Sequence, residues 1–170
     1  MKIGDEQHSL RFDSKQWSGR VDSISRSLLQ WYRNQGRDLP WRNSQDPYCI
    51  WVSEIMLQQT QVERVKEYFH NFLQRFPTVF ELAKAEEAVV LKYWEGLGYY
   101  RRARQLHLAA KKIVSDYDGK FPQDVRALQQ LPGIGRYTAG AIASIAFDLP
   151  EPILEANSRR VLALSLIHIS

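Results

Sequence analysis

The chain has 170 residues, of which 44% are hydrophobic, and its formal net charge of +4 permits a nucleic-acid partner without requiring one. A globular domain with its own core is expected, no segment is long enough for a membrane span, and the mixed-charge N-terminus does not predict a secretory signal. The only cysteine, Cys49, excludes an internal disulfide and a cysteine-rich metal site within these residues, and a cytoplasmic location is expected.

Helical signals follow one another along the chain. Asp46 and Pro47 have the pattern of an N-cap and a first helical residue, so a helix is predicted to begin there and to run through Leu57. Thr60 and Glu63 have the spacing of a capping box that opens the next helix. An apolar stripe at helical spacing precedes both helices, at Ile24, Leu28, Trp31 and Tyr32.

The second half of the chain continues in the same way. A capping box at Thr78 predicts a short helix, and Gly96 is a plausible residue just past the end of the next one. A longer helix follows Gly98 and ends at the turn residues Asp118 and Gly119. No segment alternates as a strand does, so the predicted fold class is all-α with short connections.

A glycine hairpin at residues 131–135 joins a short helix to a helix of small residues. Gly133 and Gly135 flank Ile134 and are expected to permit positive φ angles and a close approach of the backbone. The N-terminus of the following helix carries a partial positive charge, so the hairpin can hold a DNA phosphate without reading a base. An ordinary tight connection between packed helices is the alternative, and the hairpin alone does not separate the two.

Two carboxylates are candidates for catalysis. Glu54 shares an otherwise apolar helix face with Ile50 and Leu57, where burial raises a carboxyl pKa towards that of a general acid. Glu155, just before the predicted N-cap residue Asn157, can face a positively charged transition state. An acid and a second carboxylate are the minimum set for cleaving a glycosidic bond. The alternatives are a salt bridge at the rim for Glu54 and a favourable helix-end charge for Glu155.

A second group of side chains is suited to contacts with bases. Gln58 and Gln59 carry amides that can pair with base edges, although a solvated helix end is the alternative. Trp41 lies between Arg37 and Arg42, so its indole can stack on a base while the arginines hold phosphate. A core position after a proline turn is the alternative for Trp41.

Arginines and aromatic residues are also neighbours at residues 99–104, where Arg101, Arg102 and Arg104 follow two tyrosines. This composition suits a surface that contacts phosphates and stacked bases. A solvated helix face is the alternative interpretation.

Together these segments resemble the catalytic core of MutY-type adenine DNA glycosylases, in the helix-hairpin-helix superfamily. The matching segments lie in the family's order between residues 22 and 163: Leu39–Arg42, Asp46–Tyr48, Ser53–Val62, Gly96–Tyr100 and Leu131–Gly140. The resemblance implies a helix-hairpin-helix glycosylase fold. It also implies a monomeric enzyme that removes adenine mispaired with 8-oxoguanine or guanine from double-stranded DNA.

The resemblance implies roles for single residues as well. Glu54 is implied to protonate the flipped adenine and then to help activate water, while Glu155 stabilises the oxocarbenium ion beside Asn157. Tyr137 stands where lyase relatives carry a Schiff-base lysine, so a monofunctional enzyme is implied. The resemblance implies that the adenine pocket comprises Arg37, Trp41, Arg42 and Leu57. It implies that Gln59 and Tyr99 enter the duplex around the lesion and that Gly133 and Gly135 hold phosphate, with Gln58 as a further DNA-binding residue.

The sequence departs from the family pattern in two respects. Glu155 and Ala156 stand where the family usually has Asp and Gly, so the carboxylate is one methylene longer, and placement of this kind matters for rate. The family normally continues into four cysteines that bind a [4Fe-4S] cluster, and these ligands are absent from residues 1–170. The expected organisation is a disordered extension at 1–18, a partial catalytic domain at 19–163 and a doubtful tail at 164–170.

Two other functions stay open at this point. One is a helix-hairpin-helix glycosylase of different base specificity, which a panel of mispaired substrates would reveal. The other is a non-catalytic fragment that holds DNA without base specificity, for which steeply salt-dependent binding without base release would be diagnostic.

Overall fold

The computed structural model describes residues 14–153 and 156–167, and the chain divides into two compact units, Met1–Asp38 and Leu39–Ser170. The described part of the first unit contains helix α1 (Ser14–Gln35), which begins within the stretch 1–18. The second unit contains a 3₁₀ turn (Pro40–Arg42) and helices α2 (Pro47–Leu57), α3 (Val62–Arg75), α4 (Val79–Lys84), α5 (Glu87–Trp94), α6 (Arg101–Tyr117), α7 (Val125–Gln129), α8 (Arg136–Phe147) and α9 (Ala156–Ile167). No strand occurs in the described residues, and the all-α prediction is confirmed.

Helix α2 is the centre of the second unit, because it packs against α3, α6 and α8 and against the 3₁₀ turn. Its sequence, PYCIWVSEIML, is apolar on all sides, which suits a helix enclosed by others. The predicted start is confirmed, since the Asp46 carboxylate accepts a hydrogen bond from the Tyr48 amide at 2.9 Å and Pro47 is the first helical residue. The buried Tyr48 hydroxyl donates to the Phe76 carbonyl at 2.7 Å and so ties α2 to the end of α3.

Aromatic side chains fill much of the core around α2. Trp51 is fully buried, and its ring lies edge-on to Phe121 at a centroid distance of 5.4 Å. Phe72 meets the Trp94 ring at 6.0 Å, which joins α3 to α5. Such pairs add about 1 kcal/mol each beyond the area that they bury. The aromatic core therefore holds α2 in a fixed position.

Most predicted helix boundaries agree with the structure. The Thr78 hydroxyl accepts a hydrogen bond from the Glu81 amide at 3.3 Å at the start of α4, and Asp118 ends α6 with a left-handed φ of 51°. The capping box at Thr60 is wrong, because α3 begins at Val62 and its N-cap, Gln61, makes no side-chain capping bond. None of the helices in the described residues is long and apolar enough to cross a membrane.

The start of α9 also differs from the prediction. The helix begins at Ala156, so Asn157 lies in its first turn rather than at its N-cap. A difference of this size is common at helix ends, where propensity alone does not fix the boundary. Glu155 lies outside the described residues, as do residues 1–13 of the expected N-terminal extension and residues 168–170 of the expected tail.

Candidate functional site

A cleft of about 670 Å³ opens where the end of α2, the turn before α6, α6 itself and the glycine hairpin come together. Residues that the sequence analysis selected lie in it from three separate segments: Gln58 and Gln59, Tyr99 with Arg101 and Arg102, and Gly133. The remaining lining residues are Ile55 and Gln105. The fold therefore collects at one surface a set of amide, aromatic and cationic groups.

Two residues of the cleft adopt a backbone conformation that side chains rarely take. Gln59 has a φ of 56° and Tyr99 a φ of 48°, both in the left-handed region. Both are exposed, Tyr99 to 62% of its surface. A non-glycine residue in this region costs of order 1 kcal/mol and persists only where its surroundings enforce it. Strain of this kind is typical of functional sites.

The turn that carries Gln59 follows directly from the end of α2. Gln58 has φ and ψ of −59° and 112°, and the Thr60 amide donates to the Leu57 carbonyl at 3.3 Å. This is the geometry of a type II turn, whose third position favours glycine or asparagine. A glutamine there places a long amide side chain at the cleft at the expense of backbone strain.

Arg102 has a structural role that its sequence context does not predict. Its guanidinium is half-buried, and one nitrogen, Nη1, donates to the carbonyls of Ile55 and Met56 at 2.9 Å and also to the carbonyl of Gln58. Because the last carbonyls of a helix lack partners within it, Arg102 satisfies the C-terminal end of α2 and complements its partial negative charge.

The second terminal nitrogen of Arg102, Nη2, faces other partners. It donates to the Thr60 hydroxyl at 3.1 Å and to the carbonyls of Leu97 and Gly98 at 3.3 and 3.2 Å. The Gly98 carbonyl also accepts from the Trp94 indole at 3.1 Å. The guanidinium of Arg102 is therefore bound by groups of the protein itself. It is not placed to contact a phosphate, and it does not lie on a solvated helix face.

Aromatic rings and burial complete the surroundings of this guanidinium. It lies 5.4 Å from the ring centre of Trp94 and 5.5 Å from that of Tyr99. Burial lowers the pKa of Arg102 from its ordinary value, with the nearby Tyr99 acting in the opposite direction. The neighbouring Arg101 and Arg104 are exposed, and Arg104 pairs with Glu87 at 3.2 Å.

Glu54 is the only charged residue of α2. It is half-buried, between the buried Ser53 and Ile55. Helix α2 packs against α8, whose first turn contains Tyr137, a residue that is 38% exposed. Glu54 and Tyr137 thus lie on two adjoining helices, while Asn157 is exposed in the first turn of α9.

The two hairpin glycines differ in their structural role. Gly133 has a φ of 75°, and a Cβ atom there would lie 2.8 Å from the Cβ of Gln105, so glycine is required on both counts. The positive φ expected at Gly135 is wrong, because its φ of −85° and ψ of 179° suit any residue, and a Cβ there would meet nothing within 4 Å. Ile134 between them is buried and anchors the hairpin to the core.

The other predicted contact residues are spread over the two units. Trp41 is 7% exposed and packs edge-on against Phe69 at 5.5 Å, so its indole belongs to the core here. Arg42 is exposed in the 3₁₀ turn, and Leu57 is half-buried at the end of α2. Arg37 is exposed in the first unit, after α1. Their roles in base recognition stay predictions.

The residues of this chain do not fit a [4Fe-4S] cluster. Such a cluster is held by four thiolates, whereas the sequence has one cysteine. Burial, with Asp46 nearby, raises the pKa of Cys49 to about 11, so its thiol is protonated at neutral pH. No group of three or more potential metal ligands occurs among the described residues. A cluster of the kind that the resemblance implies needs ligands from outside this sequence.

Comparisons with known proteins agree with this architecture. Residues 52–166 match the family described as HhH-GPD superfamily base excision DNA repair protein. The chain is 47% identical over 151 residues to the adenine DNA glycosylase of Rattus norvegicus, and 47% identical over 135 residues to that of Mycolicibacterium smegmatis. A thermostable thymine-DNA glycosylase of known structure superposes with a TM-score of 0.80 and 29% identity, over 85% of this chain and 67% of that one.

The matches cover most of this chain but only a smaller part of each relative. The alignments cover 84% and 79% of this chain, but 29% of the rat protein and 46% of the mycobacterial one. The chain therefore corresponds to less than half of the length of either relative. The family match at residues 52–166 includes the second half of α2, the turns at both sides of the cleft and the glycine hairpin.

Proposed function

Because the chain belongs to the HhH-GPD superfamily of base excision DNA repair proteins, we propose that the protein is a DNA glycosylase that removes adenine. The observation that carries the proposal is the 47% identity over 151 residues to an adenine DNA glycosylase. The substrate that we propose is adenine paired with 8-oxoguanine or guanine in double-stranded DNA. A cytoplasmic, monomeric enzyme is part of the same proposal.

Glu54 is the proposed general acid. It is half-buried and is the only carboxylate on a helix that is otherwise apolar and mostly buried. Its proton is transferred to N7 of the flipped adenine, so the C1′–N9 bond breaks with the electron pair leaving on the base. The carboxylate that results then accepts a proton from the water that attacks C1′, which leaves an abasic site.

A second carboxylate stabilises the positive charge that develops on the sugar, and we propose Glu155 for this role, with Asn157 as its neighbour. Tyr137, at the N-terminal turn of α8, is proposed to lie near the reacting sugar. A tyrosine cannot form a Schiff base with the sugar aldehyde, so the proposed enzyme releases the base without cutting the strand.

The cleft and the hairpin supply the proposed contacts with DNA. Gln58, Gln59 and Tyr99 offer two amides and an exposed aromatic ring that can take the place of an extruded base. The hairpin at Gly133, followed by the positive N-terminal end of α8, offers a site for a backbone phosphate. Extrusion costs a few kcal/mol, and it costs least at a mispair, so these side chains contribute to selectivity.

The test is a glycosylase assay on a labelled duplex with a single adenine opposite 8-oxoguanine, using purified protein that contains this chain. Strand breaks are expected only after alkaline treatment, since the enzyme leaves an intact abasic strand. Glu54→Gln is expected to lower the single-turnover rate by about a hundredfold or more. Glu63→Gln is the matched control, because Glu63 is exposed and pairs with Lys66 on α3. Unchanged excision by Glu54→Gln would refute the assignment of Glu54.

The likeness to a thymine-DNA glycosylase favours one second candidate, removal of thymine from a mispair. The higher identity to the adenine enzymes, 47% against 29%, makes adenine the first choice. Parallel duplexes with a single A:8-oxoguanine, A:G or T:G pair separate the two. Thymine release without adenine release would replace the proposed substrate, and tight binding without any base release would point to a non-catalytic DNA-binding protein.

A further inference from the structure

The two strained residues of the cleft share one support. Gln59 follows the Gln58 carbonyl directly, and Tyr99 follows the Gly98 carbonyl directly. Both of these carbonyls accept hydrogen bonds from the single guanidinium of Arg102. The orientation of a peptide unit sets the direction in which the next side chain leaves the backbone. The position of Arg102 therefore affects both side chains.

We propose that Arg102 is a positioning residue that couples the two turns, so that Gln59 and Tyr99 enter the same nucleic-acid ligand as one rigid unit. The identity of the ligand rests on the proposed function, whereas the coupling does not. The planar fork of the guanidinium is essential to this role. Nη1 donates hydrogen bonds to the end of α2, and Nη2 donates to Thr60 and to the turn before α6.

The shape of the site explains why an arginine is needed. A lysine keeps the charge, but its single nitrogen has three donors at one point and cannot reach both sets of carbonyls at once. The contacts of the guanidinium with the rings of Trp94 and Tyr99 would also be lost. Since a left-handed conformation persists only where its surroundings enforce it, Arg102→Lys is expected to loosen both turns.

Hydrogen exchange on the DNA-free protein tests the coupling. Peptides that cover residues 58–60 and 97–99 are compared between the unmodified protein, Arg102→Lys and Arg75→Lys. Arg75 is a matched control, because its guanidinium also lies over an aromatic ring, that of Phe76, at 5.0 Å. Arg102→Lys is expected to speed exchange at least tenfold in both turns, and Arg75→Lys in neither. Faster exchange in one turn only, or in neither, would overturn the coupling.

A milder variant keeps the test decisive if Arg102→Lys does not fold. Thr60→Val has a similar shape and removes one acceptor of Nη2, together with the 3.3 Å hydrogen bond that the Thr60 hydroxyl donates to the Gln58 carbonyl. It is expected to speed exchange in both turns, by less than Arg102→Lys would, because the guanidinium loses one of its fixed points. An effect that stays within the turn of residues 58–60 would contradict the proposal.

A double-mutant cycle on DNA tests the joint action. The duplex carries 2-aminopurine in place of the adenine opposite 8-oxoguanine, and its fluorescence rises when the base leaves the stack. Arg102→Lys and Tyr99→Ala are each expected to reduce that rise at saturating protein, and the double variant is expected to lose no more than the worse single one. Losses that add would show that Arg102 does not act through Tyr99, and would overturn joint entry. If the unmodified protein fails to bind the duplex, the proposed function fails, while the exchange experiment still decides the coupling.

Discussion

The two glycines of the hairpin provide a sharp test of the structure, because the sequence gives them the same role and the structure does not. Gly133 has a φ of 75°, and an added Cβ would lie 2.8 Å from the Cβ of Gln105. Gly135 has a φ of −85° and open space around an added Cβ. Gly133→Ala and Gly135→Ala therefore differ in two independent respects, the φ angle of the backbone and the space around the added Cβ atom.

The expected sizes follow from these two terms. A left-handed alanine costs about 1–2 kcal/mol. The Cβ contact adds to this, because its partner is the rigid base of the Gln105 side chain and so the hairpin or α6 must shift. Gly133→Ala should thus lower the free energy of unfolding by about 2 kcal/mol or more, which is roughly 4–8 °C in melting temperature for a chain of this size. Gly135→Ala should change the free energy of unfolding by less than about 1 kcal/mol, because alanine restricts the unfolded chain but is a poorer N-cap than glycine at the start of α8.

The assay is urea and thermal unfolding of the two variants and the unmodified protein, followed by circular dichroism at 222 nm. Gly133→Asn gives an internal check, because asparagine tolerates the left-handed region better than alanine does while keeping the Cβ contact. Its loss of stability is expected to lie between zero and that of Gly133→Ala. Equal losses for Gly133→Ala and Gly135→Ala would refute the reasoning, as would a destabilised Gly135→Ala beside a neutral Gly133→Ala.

Three further predictions concern buried titratable or polar groups. Burial lowers the pKa of His107 in the folded protein. As the pH falls below about 6.5, the unfolded chain therefore binds a proton at this position before the folded chain does. The free energy of unfolding should fall by up to about 1.4 kcal/mol for each pH unit below that value. His107→Gln should flatten this dependence in denaturant titrations. With a pKa of about 11, Cys49 should react with iodoacetamide about a hundredfold more slowly at pH 8 than a free cysteine, as mass spectrometry can follow, and unfolding should abolish the difference. Tyr48→Phe leaves the buried Phe76 carbonyl without its 2.7 Å donor and should cost about 1–3 kcal/mol in urea unfolding.

Local signals made much of the fold predictable from the sequence. Asp46 and Thr78 accept hydrogen bonds from amides two and three residues ahead, and such bonds depend only on nearby residues. The apolar spacing of Ile24, Leu28, Trp31 and Tyr32 likewise predicted a helix, and these residues lie on α1. The capping box at Thr60 failed because its hydroxyl has a distant competitor, the guanidinium of Arg102, which no local pattern reveals.

The candidate site was predictable only in part for the same reason. Gln58, Gln59, Tyr99 and Gly133 were selected as separate segments, and the packing of α2, α6 and the hairpin brings them to one cleft. Arg102, whose hydrogen bonds support this cleft, lies between 42 and 47 positions along the chain from its partners on α2 and in the following turn. The difference between Gly133 and Gly135 likewise depends on Gln105, a residue of α6, and not on the hairpin sequence.

The long reach of the Arg102 hydrogen bonds has a consequence for the order of folding. The bonds to Ile55, Met56 and Gln58 close only when α6 is already docked on α2, since the partners lie 44 to 47 positions apart. Closing so long a loop is entropically costly, and the contact is rewarded only after both helices are packed. We therefore expect α2 and α6 to pack against each other before these bonds close and before the cleft takes its final shape. Substitutions at Arg102 should accordingly speed unfolding and leave the folding rate almost unchanged.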